Sequence, residues 1–207
     1  DYGTGALGDM ACHILHSPFR ALKLKYPTKV EGSSTLLLNA CAPQAQHVKM
    51  IFPARENMPK VAMPEVEIHW YDGGLLPDRP EGFPAGKQLM PGAGVTIFHG
   101  TKDTLICGCY GIGPWLLSGR KPNAPKVCRR VPNAMSGGHE MDWVRACKED
   151  KSNRIMTKSD FSEAGPMNEM VAMGVLAIRL QALNKTLEWD GANMCFTNIG
   201  DNETIRT

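Results

Sequence analysis

The chain has 207 residues, of which 43% are hydrophobic and 21% charged, and its formal net charge is +2. These values are ordinary for a globular protein with a substantial core, and they exclude the strongly basic surface that general binding of nucleic acid requires. The seven cysteines include no Cys-x-x-Cys pair, so a zinc knuckle is not expected. Reduced thiols are the default for a chain of this length, which favours a reducing compartment such as the cytoplasm.

In chain order, the apolar spacing first predicts a helix from Gly5 to about Leu24, kinked or divided by Pro18. Apolar runs and period-two alternation then predict strands at 29–38, 47–52 and 63–71, a hairpin at 94–110, and short strands near 186–189 and 194–196. Two more helices are predicted at 138–149 and at 166–183, the second with Pro166 in its first turn. Its apolar part lies between Glu169 and Arg179 and is far shorter than the ~20 residues that a membrane span requires, so no membrane partner is expected.

Most strands are joined by short links rather than by crossover helices, which determines the expected architecture. The sequence predicts an α+β fold with an open, largely antiparallel β-sheet covered on one face by helices. Val66, Ile68 and Trp70 alternate with polar residues and are expected on one face of their strand. Trp143 and Trp189 are expected in the core.

The first sixteen residues carry the strongest chemical signal. Asp9 and His13 lie four residues apart in a predicted helix, so both side chains project from one face. A carboxylate beside an imidazole is the arrangement of a general base that works near neutral pH. Glycines precede or flank the pair and allow another backbone or a ligand to come close.

Two other interpretations of the same residues remain open. Asp9, His13 and His16 share a helical face and could hold zinc with one open position, which would make the chain a hydrolase or a structural metal site. Alternatively, the chain is a non-catalytic module that forms oligomers through Ile68 and Trp70 on an open sheet face.

The segment Gly5-Ala-Leu-Gly-Asp-Met-Ala-Cys-His13 resembles the motif that opens the C-terminal domain of the Gfo/Idh/MocA family, the relatives of glucose-fructose oxidoreductase and inositol dehydrogenase. Four further segments look like blocks of this family in the same order: His69-Trp-Tyr-Asp-Gly-Gly74, Gly100-Thr-Lys-Asp-Thr-Leu-Ile106, His139-Glu-Met-Asp-Trp-Val-Arg145, and Glu188-Trp-Asp190 with Phe196-Thr-Asn198. The resemblance therefore covers essentially the whole chain.

This resemblance implies that residues 1–207 are the C-terminal substrate-binding and oligomerisation domain of an NAD(P)-dependent oxidoreductase acting on a sugar, a polyol or a related alcohol. NAD or NADP would be bound mainly by an N-terminal Rossmann domain, because no Gly-x-Gly-x-x-Gly motif follows a strand here. By resemblance, His13 is the catalytic base and Asp9 orients it. Because they lie beside this pair in the sequence, Thr4 and His16 are expected to contact the substrate and Gly5 to lie near the cofactor. The chain alone is expected to be inactive and to associate through its sheet. His16 departs from the family, whose members commonly carry Asp at this position.

Overall fold

The computed structural model describes residues 3–58, 64–89, 92–121, 138–157 and 159–200. Their helices are α1 (Gly5–Ile14), α2 (His16–Ala21), α3 (Gly138–Lys148) and α4 (Phe161–Arg179). The strands are β1 (Lys29–Ser34), β2 (Gln46–Phe52), β3 (Val66–Tyr71), β4 (Val95–His99), β5 (Thr104–Gly108), β6 (Trp115–Leu116), β7 (Leu187–Asp190) and β8 (Cys195–Phe196). The chain divides into two compact units, one formed by Asp1–Arg120 with Pro166–Thr207 and the other by Lys121–Gly165.

The first unit contains two antiparallel sheets. The larger has five strands in the order β3-β2-β1-β7-β8, and the smaller has three in the order β4-β5-β6. The predicted α+β class with antiparallel strands is therefore confirmed. The expectation of a single sheet is wrong, because the hairpin of β4 and β5 pairs with β6 and not with the larger sheet.

Helices α1 and α4 cover one face of the five-stranded sheet, here called the inner face. Alternate residues of the strands point into this core together with apolar side chains of the helices: Val30, Val48, Met50, Phe52, Ile68, Trp70, Leu7, Ala11, Met170, Met173 and Ala177. Ile68 and Trp70 thus lie in the hydrophobic core and cannot form the exposed association surface that was one interpretation of the sequence. The opposite face, here called the outer face, carries polar side chains instead.

Two glycines set how closely the helices approach the sheet. A Cβ at Gly32 of β1 would lie 2.8 Å from the backbone of Ala177 and Ile178 in α4. A Cβ at Gly174 of α4 would lie 2.7 Å from Leu7 of α1. Backbone cannot give way to an added atom, so Gly32 requires glycine for this packing distance, whereas at Gly174 the end of the Leu7 side chain would have to shift.

Asp72 ties the end of β3 to the start of β2. Its carboxylate accepts hydrogen bonds from the indole N–H of Trp70 at 2.6 Å and from the side-chain amide of the buried Gln46 at 2.8 Å. Gly73 follows with φ of +68°, and a Cβ there would lie 2.1 Å from the carbonyl oxygen of Gln44. The block His69–Gly74 that contributes to the family resemblance therefore has a structural role in this chain.

The first predicted helix is divided, as expected, but at Leu15. Pro18 lies in the first turn of α2, where its missing N–H costs least, and it cannot donate to the carbonyl of Ile14. The α1 helix therefore ends at Ile14, and α2 begins at His16.

Helix α4 begins earlier than the sequence suggests. It starts at Phe161, and the Asp160 side chain accepts the backbone N–H of Ser162 at 2.9 Å. Asp160 is thus the capping residue, and Pro166 lies inside the helix and not in its first turn. Within the described residues, no helix is both long enough and apolar enough to cross a membrane.

The second unit contains helix α3. Arg145 forms ion pairs with Asp142, at 2.8 Å, and with Glu149, one turn away on either side. Trp143 is 65% exposed, so its predicted core position is wrong. Helical spacing predicts which side chains share a face of this helix, but it does not show whether another element covers that face.

Candidate functional site

The start of α1 is shaped by contacts between the chain and itself. Thr4 is the N-cap residue, is exposed, and its side chain makes no capping hydrogen bond. A Cβ at Gly8 would lie 1.4 Å from Thr4 Oγ1, so the Thr4 side chain occupies the space above Gly8. Thr4 therefore stands at the exposed N-terminal end of the helix that carries Asp9 and His13.

Gly5 has a reason within the chain for lacking a side chain. Its φ is +66°, and a Cβ there would lie 2.4 Å from the Cβ of Ala42, in the loop between β1 and β2. On that side Gly5 offers no cradle to a nicotinamide ring, because Ala42 already fills it. Gly3 differs, since nothing lies within 4 Å of a Cβ built there.

Asp9 and His13 project from the same helix. Asp9 is exposed and His13 is half-buried, so both are within reach of a ligand. In the part of the chain that the structure describes, no hydrogen bond or ion pair joins the Asp9 carboxylate to the His13 imidazole. The helix thus brings the two side chains onto one face without locking them together.

The imidazole of His13 instead contacts an aromatic ring from another element. The ring of Tyr110 meets it edge to face, with centroids 5.2 Å apart and an angle of 77° between the planes. The thiol of the neighbouring Cys109 donates to the backbone carbonyl oxygen of His13 at 3.7 Å. The turn between β5 and β6 therefore forms one wall beside the candidate base.

Tyr110 is held in an unusual backbone conformation. It is 65% exposed and has φ of +60°, in the left-handed region that non-glycine residues rarely adopt. The turn is anchored because the Cys109 N–H donates to the carbonyl of Gly94 at 3.1 Å, and because Gly111 lies against the Ser17 side chain. Backbone strain of this kind at an exposed aromatic residue is common at binding and catalytic sites.

Tyr110 is not among the site residues that the sequence predicts. The available signal was the glycine-rich segment Gly108-Cys-Tyr-Gly-Ile-Gly113 directly after a strand, which indicates a tight turn. That signal does not show which other element the turn contacts. Only the packing of this turn against α1 brings Tyr110 to His13, which is distant along the chain.

His16 belongs to a different helix from Asp9 and His13. It is the first residue of α2, beyond the break at Leu15, and is half-buried. Among the described residues, no three His, Cys, Asp or Glu side chains are grouped closely enough to hold a metal ion. The zinc set of Asp9, His13 and His16 is therefore not assembled in this structure.

A cavity of ≈ 210 Å³ lies on the three-stranded sheet. Trp115 and Phe83 form part of its wall, and the Lys87 ammonium lies 4.1 Å from the centre of the Trp115 ring. Cys107, also in the wall, is buried, and this burial raises the pKa of its thiol. The Cys107 thiol is therefore protonated near neutral pH and is unsuited to act as a nucleophile.

Searches against protein-family models and against curated proteins found no match to this chain.

Proposed function

We propose that this chain is the substrate-binding and catalytic-base domain of an NAD(P)-dependent oxidoreductase that acts on a sugar, a polyol or a related alcohol. The observation that carries the proposal is the half-buried imidazole of His13 beside the exposed, strained Tyr110. The five sequence blocks that resemble the Gfo/Idh/MocA family support the same conclusion. The corresponding fold, that of the family's C-terminal domain, belongs to the proposal as well.

In this proposal His13 removes the proton of the substrate hydroxyl. A positioned general base contributes roughly 10²–10⁴-fold to the rate. The edge contact with Tyr110 restricts the rotation of the imidazole. Asp9 stabilises the imidazolium that forms, because its exposed carboxylate lies one helical turn before His13.

The other residues proposed from the sequence have smaller roles. The exposed Thr4 provides a hydroxyl to the substrate at the start of α1, and His16 contacts a more distant part of it. NAD or NADP accepts the hydride and is held mainly by an N-terminal Rossmann domain of the same polypeptide. Since Ala42 fills the space beside Gly5, the open backbone of Gly3 is the better candidate for a close approach.

Association of several copies through the five-stranded sheet remains part of the proposal. Because the inner face is covered by α1 and α4, such an interface would use the outer face. That surface is polar, so the interface would depend on hydrogen bonds and charge pairing more than on apolar burial.

The test is turnover by the polypeptide that contains this chain together with its cofactor domain. Hexoses, inositols and linear polyols are assayed with NAD and with NADP by the absorbance of the reduced nicotinamide. We expect turnover with at least one class, a 10²–10⁴-fold lower kcat in His13→Asn, and a smaller loss in Tyr110→Leu. His99→Asn, at an exposed histidine at the end of β4, is the matched control and should be unaffected.

Two results would contradict the proposal. One is turnover in His13→Asn equal to that of the unaltered enzyme. The other is the absence of turnover with every alcohol combined with stoichiometric zinc in the purified protein, which would favour the metal-site alternative.

A further inference from the structure

A chain of three polar side chains crosses from β3 to β2 on the outer face of the five-stranded sheet. His69 Nε2 lies 3.2 Å from Glu67 Oε2, and His69 Nδ1 lies 3.0 Å from His47 Nε2. Glu67 and His69 are exposed, and His47 is half-buried. Both ring nitrogens of His69, the middle residue, thus face a partner at hydrogen-bond distance.

The two imidazoles meet edge to edge. Their planes differ by only 8°, and their centroids are 5.3 Å apart. Because the two nitrogens are 3.0 Å apart, a centroid separation of 5.3 Å is reached only when both centroids lie almost on the line through the two nitrogens. His47 and His69 therefore share a nearly straight, in-plane N–H···N hydrogen bond and are not stacked face to face.

This geometry fixes where the protons lie in the neutral pair. The Glu67 carboxylate can only accept, so His69 donates its Nε2–H to Glu67. His69 Nδ1 then carries a lone pair, and His47 donates its Nε2–H to it. The remaining nitrogen of His47, Nδ1, is left to accept the next proton.

We propose that Glu67, His69 and His47 form a proton-sharing chain of side chains. Its hydrogen bonds stay intact when it takes up one proton, and the bond between the two imidazoles breaks when it takes up a second. The first proton binds His47 Nδ1, and the resulting imidazolium still donates Nε2–H to His69, while Glu67 balances the charge through the chain. A second proton must bind His69 Nδ1, so that two N–H groups would point at each other. The hydrogen bond is then lost, and two like charges separate the rings.

Groups on all neighbouring strands act on this pair. Lys49 of β2 and Glu31 of β1 form an ion pair at 3.5 Å, and the Tyr71 ring stacks on His47 with centroids 4.5 Å apart. Burial lowers the pKa of His47 below its ordinary value of 6.5, the charges of His69 and Lys49 lower it further, and Glu31 raises it. Burial raises the pKa of Tyr71, and the negative charge of Asp78 raises it further. The phenol therefore stays neutral over the range in which the histidines titrate.

The consequence is a pH-dependent change of the outer face. In mildly acidic solution this surface gains up to two positive charges and loses a side-chain link between β2 and β3. The inference does not depend on the catalytic role of His13, and its test requires no turnover.

The test is a pH titration of ¹⁵N-labelled histidines by NMR. In the unaltered chain we expect two coupled steps separated by more than about one pH unit. In His69→Gln the remaining His47 should titrate in a single step between the two. The ¹⁵N–¹⁵N coupling across the hydrogen bond should be present before the second step and absent after it.

Charge variants give a check that leaves both histidines in place. Lys49→Gln should move the first step, in which His47 Nδ1 takes up its proton, to higher pH and Glu31→Gln should move it to lower pH, while His99→Gln should change neither step. A His47 titration with the same midpoint in the unaltered chain and in His69→Gln would overturn the proposal. So would a ¹⁵N–¹⁵N coupling that persists through both steps.

Discussion

The contact between Gly5 and Ala42 yields a prediction whose magnitude can be worked out from the structure. In Gly5→Ala, a left-handed backbone at φ of +66° must accept a Cβ, which costs roughly 1–2 kcal/mol. The new Cβ would also lie 2.4 Å from that of Ala42, and overpacking of this kind costs roughly 1–3 kcal/mol. We therefore expect the free energy of unfolding to fall by about 2–5 kcal/mol.

The matched control removes the other partner. In Gly5→Ala with Ala42→Gly, the nearest remaining atom of residue 42 is its Cα at 3.9 Å, which is an ordinary contact distance. The double variant should recover the overpacking part, about 1–3 kcal/mol, and should retain the backbone strain. Urea unfolding followed by circular dichroism gives both numbers, with an unchanged m-value as the sign that the same transition is measured.

The outcome also separates packing from ligand contact. If Gly5→Ala changes stability by less than about 0.5 kcal/mol, or if Ala42→Gly gives no relief, the close approach described here is refuted. If the double variant is stable and yet loses cofactor binding, Gly5 contacts the cofactor in addition to Ala42.

Two further predictions concern ionisation. Burial raises the pKa of the Cys107 thiol, so iodoacetamide at neutral pH should label the exposed Cys12 well before Cys107, as read by peptide mass spectrometry; equal labelling would contradict the buried position. Asp103 has its pKa lowered from 3.8, first by the hydrogen bond with the Ser118 side chain. A carboxylate with a lowered pKa stabilises the fold at pH values above its ordinary pKa, and this stabilisation is lost as the pH falls through the lowered pKa. Asp103→Asn should therefore be less stable than the unaltered chain at neutral pH. The two should converge as the pH falls below the lowered pKa of Asp103, and a constant difference across the whole acid range would count against the assigned bond.

Local pattern by itself determined much of this protein. The period of two in β3 placed Ile68 and Trp70 on one face, and the structure buries both. The restriction that proline imposes on a helix predicted that the first helix would be divided near Pro18, as α1 and α2 are. The i, i+4 spacing of Asp9 and His13 put both on one face of α1. These features depend on residues close together in the chain, so the sequence suffices to predict them.

The tertiary structure decided what depends on distant residues. Whether a strand face is covered or exposed depends on which helix packs there, and α1 and α4 cover the face that carries Trp70. The partner of His13 is Tyr110 because a glycine-rich turn docks on α1, and no local pattern contains that information. The hydrogen bond between His47 and His69 likewise requires the register that pairs β2 with β3. Residue type and spacing thus set which groups are available for chemistry, and long-range packing set which of them meet.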